Sequence, residues 1–280
     1  MVRLSSPPIP LRPFLKWAGG KRQLLPELLK YIPLRYGHYY EPFIGGGALL
    51  FMLEPDGATI SDRNPELINC YQVVKDSVED LIQNLQQHRN DKDYFYQVRN
   101  WDRQAEFAHR TNVQRAARII FLNKTCYNGL FRVNSKGQFN APFGRYKNPN
   151  IANEDVLRSV SHYLNRANVT IYNLDFARSV AAAGRHDFIY FDPPYDPVST
   201  TASFTGYDRK GFDRAEQQRL KQVMDDLTHR GCKVLLSNAH TEFIQNLYQD
   251  YRCVRVQATR AINSKASKRG KVDEILVMNY

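Results

Sequence analysis

Along the first third of the chain, apolar positions recur with two different periods. Residues 39–41 and 58–61 are short apolar-rich runs next to glycine or polar residues and predict strands. Residues 21–32 and 48–53 carry apolar side chains at helical spacing, the second run opened by Gly45-Gly46-Gly47. The pattern changes after Asn64. Stretches 66–75, 77–88, 94–102 and 113–123 repeat apolar residues three and four apart, with no buried strand among them, and predict consecutive helices. Residues 130–143 place β-prone side chains on both sides of Asn134-Ser135-Lys136-Gly137, which predicts a hairpin. Alternation returns with a helix at 154–165, strands at 169–174 and 187–191, a helix at 214–230, a strand at 232–237 and a helix at 241–248. Two strands, 252–258 and 272–278, close the chain. The sum is an α/β body, residues 1–63 and 153–280, interrupted by a helical insertion, residues 64–152, that carries the hairpin.

Composition narrows the class. The 280 residues are 42% hydrophobic and 12% aromatic, enough to bury a core and to exclude a disordered chain. No apolar run approaches the ~18–20 residues that span a bilayer, and the N-terminal stretch lacks the apolar segment of a signal peptide. Cys70, Cys126, Cys232 and Cys253 are scattered, with no Cys-x-x-Cys pair, so neither a disulfide framework nor a zinc site is expected. A reducing cytoplasm, no membrane and no metal are the expectations.

Charge is more telling in its distribution than in its total of +11. Between Phe107 and Asn153 there is no acid but eight bases: Arg110, Arg115, Arg118, Lys124, Arg132, Lys136, Arg145 and Lys147. Between Arg252 and Val272 there are seven more and again no acid. The remainder is mildly acidic, 24 bases against 28 acids. Two wholly basic segments on such a body point to a polyanion, nucleic acid first, although a solvated basic surface is the plain alternative.

Two motifs carry chemistry. Glu41-Pro42-Phe43-Ile44-Gly45-Gly46-Gly47 is a glycine turn between strand and helix, where backbone can approach a nucleotide-like ligand. A dinucleotide fingerprint needs glycine three residues after Gly47, where Leu50 stands, and no phosphate-binding Walker sequence exists. Asp62 ends the next strand, at the place where α/β nucleotide binders hold ribose hydroxyls; it could equally cap the following helix. The second motif, Asp192-Pro193-Pro194-Tyr195, follows the apolar strand Phe188-Ile189-Tyr190-Phe191. It suits attack by an exocyclic amine, a poor nucleophile because its lone pair is delocalised into the ring. The Asp192 carboxylate and the Pro193 carbonyl can accept its two N–H groups and favour the pyramidal geometry that frees the lone pair. The prolines stiffen that carbonyl and bring no competing N–H, and Tyr195 offers a face for a base to stack on. The bland alternative is a proline-stiffened loop with an ordinary carboxylate.

In these motifs and others, the sequence resembles DNA adenine-N6 methyltransferases of the Dam type. The likeness rests on residues 13–21 (Pro-Phe-Leu-Lys-Trp-Ala-Gly-Gly-Lys), residues 42–47 and residues 192–195 in that order. It continues through residues 126–132 and 142–146, then Asn263-Ser264-Lys265 and residues 271–274. The resemblance implies a Rossmann-like methyltransferase domain with a seven-stranded sheet, using S-adenosyl-L-methionine, with a target-recognition domain inserted at 64–152. It places Trp17, Lys21, Phe43, Gly45, Gly47, Asp62, Asp175, Phe176 and Asp192 around the cofactor, with Asp62 on the ribose and Asp175-Phe176 on the adenine. Read without the family, Asp175 is a helix cap, Trp17 is core, and Lys16 and Lys21 are surface charge.

For DNA the resemblance implies Lys16, Tyr127, Asn128, Leu130, Arg132, Pro142 and Tyr146. Arg132 would grip guanine O6 and N7, with Lys16 serving the other guanine. Leu130 and Pro142 would meet a thymine methyl, and Asn128 or Tyr127 would fill the space of a flipped adenine. The expected site is GATC in double-stranded DNA, bound by a monomer, with catalysis by Asp192, Pro193, Pro194 and Tyr195. Without the family, Tyr127, Leu130 and Tyr146 would be core and Arg132 solvated. Two further readings compete: the same loop acting on RNA or a protein glutamine amide, and a DNA-binding protein without catalysis. The tail bases Lys265, Lys268, Arg269 and Lys271, set among small polar residues, suit phosphate contact.

Overall fold

Seven strands, β1 (Tyr39–Glu41), β2 (Ala58–Ser61), β3 (Thr170–Tyr172), β4 (Phe188–Phe191), β5 (Lys233–Ala239), β6 (Arg252–Thr259) and β7 (Lys271–Met278), form one sheet in a computed structural model of the chain. The structure describes residues 11–197, 211–259 and 271–280. The order is β3-β2-β1-β4-β5-β7-β6. Strands β1 to β5 run parallel, and β7 enters antiparallel between β5 and β6. Chain order reverses between β1 and β4, which makes the carboxyl ends of these two neighbours the place where an open α/β sheet binds ligands.

The period of two along each strand divides the core. Tyr39, Phe188, Tyr190 and Leu235 pack on one face with helices Ala48–Leu53, Pro65–Asp76, Asn112–Thr125 and Glu154–Arg166. Tyr40, Ile189, Phe191, Val234 and Leu236 pack on the other with helices Arg214–His229 and Glu242–Leu247. The helices of 64–152 therefore share one continuous buried core with the sheet. Their ends follow local chemistry. Asn64 accepts from the amides of Glu66 and Leu67 ahead of Pro65, and Thr111 with Gln114 forms a reciprocal capping box.

Strands 39–41 and 58–61 and helix 48–53 occur where the pattern predicts them. Residues 21–32 do not form one helix. They break into 3-10 turns at Lys21–Gln23 and Leu29–Tyr31 around the α-turn Leu25–Leu28, because Pro26 lacks an N–H and blocks a continuous ladder. The hairpin at 130–143 is two isolated bridges, Val133 with Phe139 and Cys126 with Phe143, rather than a ladder. Its turn closes through Gly137 N–H to the Asn134 carbonyl at 2.9 Å. The strand predicted at 169–174 shortens to β3, and Asp175 starts a short helix, Phe176–Ser179, that the pattern did not reveal. Among the described residues no helix is long and apolar enough to cross a membrane.

Candidate active site

Both sequence motifs leave the sheet at the reversal point, one from β1 and one from β4. The glycine turn needs its glycines. Gly45 and Gly47 sit at φ +46° and +70°, and a Cβ at Gly47 would come within 2.7 Å of the Tyr71 hydroxyl. A Cβ at Gly45 would meet Trp17 at 3.0 Å, so the buried indole forms the wall behind the turn while it stacks on Phe131. Asp62 accepts from Gly45 N–H at 3.3 Å and from Asn64 N–H at 2.9 Å. The helix cap belongs to Asn64, and Asp62 is left beside the glycine turn.

The pocket is lined by Gly20, Lys21, Glu41, Gly45, Gly47 and Asp192, among others. Lys21 is only 8% exposed, so it is no surface charge; its Nζ lies 2.8 Å from Asp192 Oδ1 and 2.7 Å from the Gly19 carbonyl. It also stands 4.5 Å over the Tyr195 ring, whose hydroxyl donates to Glu274. Ser237 on β5 donates to the same Oδ1 at 3.0 Å. Burial holds the Asp192 carboxyl above the ordinary aspartate range, with Lys21 and then Ser237 opposing. Beneath it, burial pushes Glu41 up to about 8 although Tyr39 donates to it. The loop after Asp192 is clamped by residues the motifs did not reveal. Gln217 donates to the Pro194 carbonyl, Asn238 donates to Gln217, and Asp196 N–H reaches Asn238. Among the described residues nothing donates to the Pro193 carbonyl.

Asp175 caps the helix Phe176–Ser179, as the local reading allowed, but both its oxygens also take a bidentate contact from Arg219 at 2.8 and 2.7 Å. That contact holds its carboxyl below the usual range. Phe176 is fully buried, stacked behind the half-buried Phe43 with ring centres 5.4 Å apart, so Phe43 is the ring nearer the surface.

The seven residues matched to DNA reading gather near one another. Buried Asn123 brackets two segments distant in sequence: it bonds Lys16 N–H at 2.9 Å, the Lys16 carbonyl at 2.7 Å and the Gly129 carbonyl at 2.9 Å. Lys16 lies across Gly129 and 5.8 Å over Tyr146. Tyr127 is 49% exposed and Asn128 holds a left-handed turn at φ +57°, so Tyr127 is not core. Tyr146 and Leu130 are half-buried and Pro142 is exposed. Arg132 is exposed, its guanidinium held by the Asn140 side chain at 2.7 Å and the Asn140 carbonyl at 3.1 Å.

The basic segment divides by burial. Arg118 is 2% exposed and pairs with Asp102, whose carboxylate also takes Arg103 and the Phe139 N–H, so the buried pair anchors the hairpin. Arg115 pairs with Glu66, and Arg110 lies on the Trp101 ring. These three bases are engaged within the protein itself. Lys136, Arg145 and Lys147 are exposed without an ion pair among the described residues. Lys124 is partly buried near Lys16 and Arg12; loss of water, then those two cations, lower it to about 8. Lys265, Lys268 and Arg269 lie outside the described residues, as does the side chain of Lys271.

A family model described as D12 class N6 adenine-specific DNA methyltransferase matches residues 17–262. The chain is 47% identical over 274 residues to the Type II methyltransferase M1.LlaDCHI of Lactococcus lactis subsp. cremoris, covering 97% of this chain and 96% of that protein. It is 43% identical to the Type II methyltransferase M.MjaIII of Methanocaldococcus jannaschii, over 96% of this chain and 99% of that one. To the DNA adenine methylase of Escherichia coli K12 it is 34% identical, with 95% of each covered.

Proposed function

The chain belongs to the D12 class of N6 adenine-specific DNA methyltransferases, and on that premise we propose that it methylates an adenine flipped out of duplex DNA, within GATC. The family implies a methyl donor; the proposed donor is S-adenosyl-L-methionine. The residues at the reversal point fit it. The glycine turn leaves backbone exposed to a nucleoside, Asp62 offers a carboxylate beside that turn, and Asp192 lines a pocket suited to a sulfonium cation. Bound there, the cofactor supplies an electrophilic methyl group.

The observation that carries the reading is a pair of acceptors at the end of β4. Asp192 Oδ2 and the Pro193 carbonyl take no hydrogen bond from the described residues, while Oδ1 is doubly held. The pair accepts the two N–H groups of adenine N6 and favours its pyramidal geometry as the lone pair is freed. Tyr195, steadied by Glu274, stacks on the base, and Asp192 passes the released proton to solvent.

Residues 64–152 act as the target-recognition part. Arg132, oriented by Asn140, reads one guanine, and Lys16 the other. Leu130 and Pro142 meet the thymine methyl, and Tyr127 or Asn128 fills the vacated stack. Arg12 and Lys124, next to Lys16, are cations suited to phosphate. The enzyme acts as a monomer in the cytoplasm. The test is incubation of unmethylated duplexes, carrying GATC or each single-base variant, with tritiated S-adenosyl-L-methionine. Label confined to N6-methyladenine in GATC supports the reading; equal label on the variants overturns the GATC assignment.

A further inference from the structure

We propose that Ser237 is a positioning residue for methyl transfer: with Lys21 it holds one oxygen of Asp192 so that the other is presented to the adenine amine. The inference rests on the function proposed above. Its origin is the register of two strands. β4 and β5 are parallel with Phe191 opposite Leu236, so Asp192 and Ser237 are the next pair in line. Tyr190, two residues before Asp192, shares its face by strand alternation.

A directed chain results. Ser237 commits its single proton to Asp192 Oδ1 at 3.0 Å, so the Tyr190 hydroxyl, 3.0 Å away, donates into Ser237 Oγ. Lys21 Nζ reaches the same Oδ1 at 2.8 Å. Ser237 has no exposed surface and stands in a strand whose preceding residues are Val234, Leu235 and Leu236. A hydroxyl there costs desolvation unless it is bonded, and here its proton goes to Asp192 while Tyr190 bonds its oxygen. With two donors on Oδ1 the carboxylate cannot rotate without breaking both, and Oδ2 is left as the acceptor.

The other ionisable groups around Asp192 are Glu41 on β1, Tyr190 on β4, Tyr195 in its own loop, and Glu274 on β7 through Tyr195. Ser237 and Lys21 favour the ionised carboxylate; loss of the hydroxyl therefore moves the acid limb of the rate profile to higher pH.

The experiment is the single-turnover rate of methyl transfer to duplex DNA as a function of pH, with separate binding titrations for DNA and S-adenosyl-L-methionine. Ser237→Ala is expected to slow transfer about ten- to a hundredfold, the usual worth of a hydrogen bond to a charge. Both affinities should stay within about twofold, and the acid limb should move up. Ser237→Cys, close in size with a weaker donor, should fall between Ser237→Ala and the parent. A Ser237→Ala enzyme with the parent rate, or a slow one whose acid limb has not moved, overturns the proposal. Asp192→Ala in the same assay separates the two layers: normal turnover there would instead overturn the reading on which the proposal rests.

Discussion

The pocket at the strand ends and the face that carries Arg132 use the same residue types under opposite conditions. At the strand ends charges are paired: Lys21 on Asp192 in the pocket and the partly exposed Arg219 on Asp175 beside it, with Ser237 and Gln217 filling the remaining demands. On the other face Lys16, Arg132, Lys136, Arg145 and Lys147 stand exposed without an acid among the described residues. In the helical segment the half-buried Asp102 pairs with Arg118 and fixes the hairpin's backbone. Transfer needs one carboxylate in one orientation, so its surroundings are rigid and neutralised. Recognition of a polyanion needs cations left for the ligand, so the scaffold consumes the acids and leaves the bases.

The comparison breaks most readily at Asp192. Its replacement by Ala is expected to cut the transfer rate by about 10²–10⁴-fold while DNA affinity stays within a few-fold, measured by single-turnover kinetics and gel-shift titration. Near-normal turnover would remove the catalytic half of the contrast. Next in size is Asp102→Ala, which strands the buried Arg118 and unhooks Phe139. It should cost about 3–5 kcal/mol of folding stability in denaturant titration, the range for breaking one side of a buried pair. A loss under 1 kcal/mol would mean the hairpin is held elsewhere.

Asp62→Ala should weaken S-adenosyl-L-methionine binding by about 1–3 kcal/mol in calorimetry and leave DNA affinity without cofactor nearly unchanged. Unchanged cofactor affinity would reduce Asp62 to a tie on the glycine turn. The smallest effect belongs to Lys124. Lys124→Met should weaken all duplexes alike and lower the salt slope by about one. Because burial, and then its cationic neighbours, bring it to about 8, the parent protein's affinity should decline as pH rises through that value and Lys124 sheds its charge. The variant should lack that decline; if it keeps it, the cation lies elsewhere.

Much of the frame was legible because it is local. The continuous apolar run Phe188-Ile189-Tyr190-Phe191 marks β4, and the glycine turn and the proline loop each mark where a strand stops. Pro26 was equally visible, yet apolar spacing alone carried a helix through it. What stayed hidden depends on partners far apart in sequence. Ser237 meets Asp192 across 45 positions and Asn123 meets Lys16 across 107, so no window of sequence contains either pair. The placement of β7 between β5 and β6 is hidden for the same reason. Arg118 and Arg132 look alike in a charge count, and only burial separates the anchored guanidinium from the exposed one.

The separation of transfer from reading is tested most directly by comparing Arg132→Ala with Asp192→Ala on three duplexes: GATC, and the same duplex altered at one or at the other of its two guanines. Binding and single-turnover transfer are measured for each. Arg132→Ala should lose about 1–3 kcal/mol on GATC and almost nothing on the duplex altered at the guanine it reads, so discrimination there collapses while transfer persists. Asp192→Ala should keep the full discrimination in binding while its transfer rate falls by about 10²–10⁴-fold. A uniform loss on every duplex for Arg132→Ala, or loss of discrimination in binding for Asp192→Ala, would contradict the account.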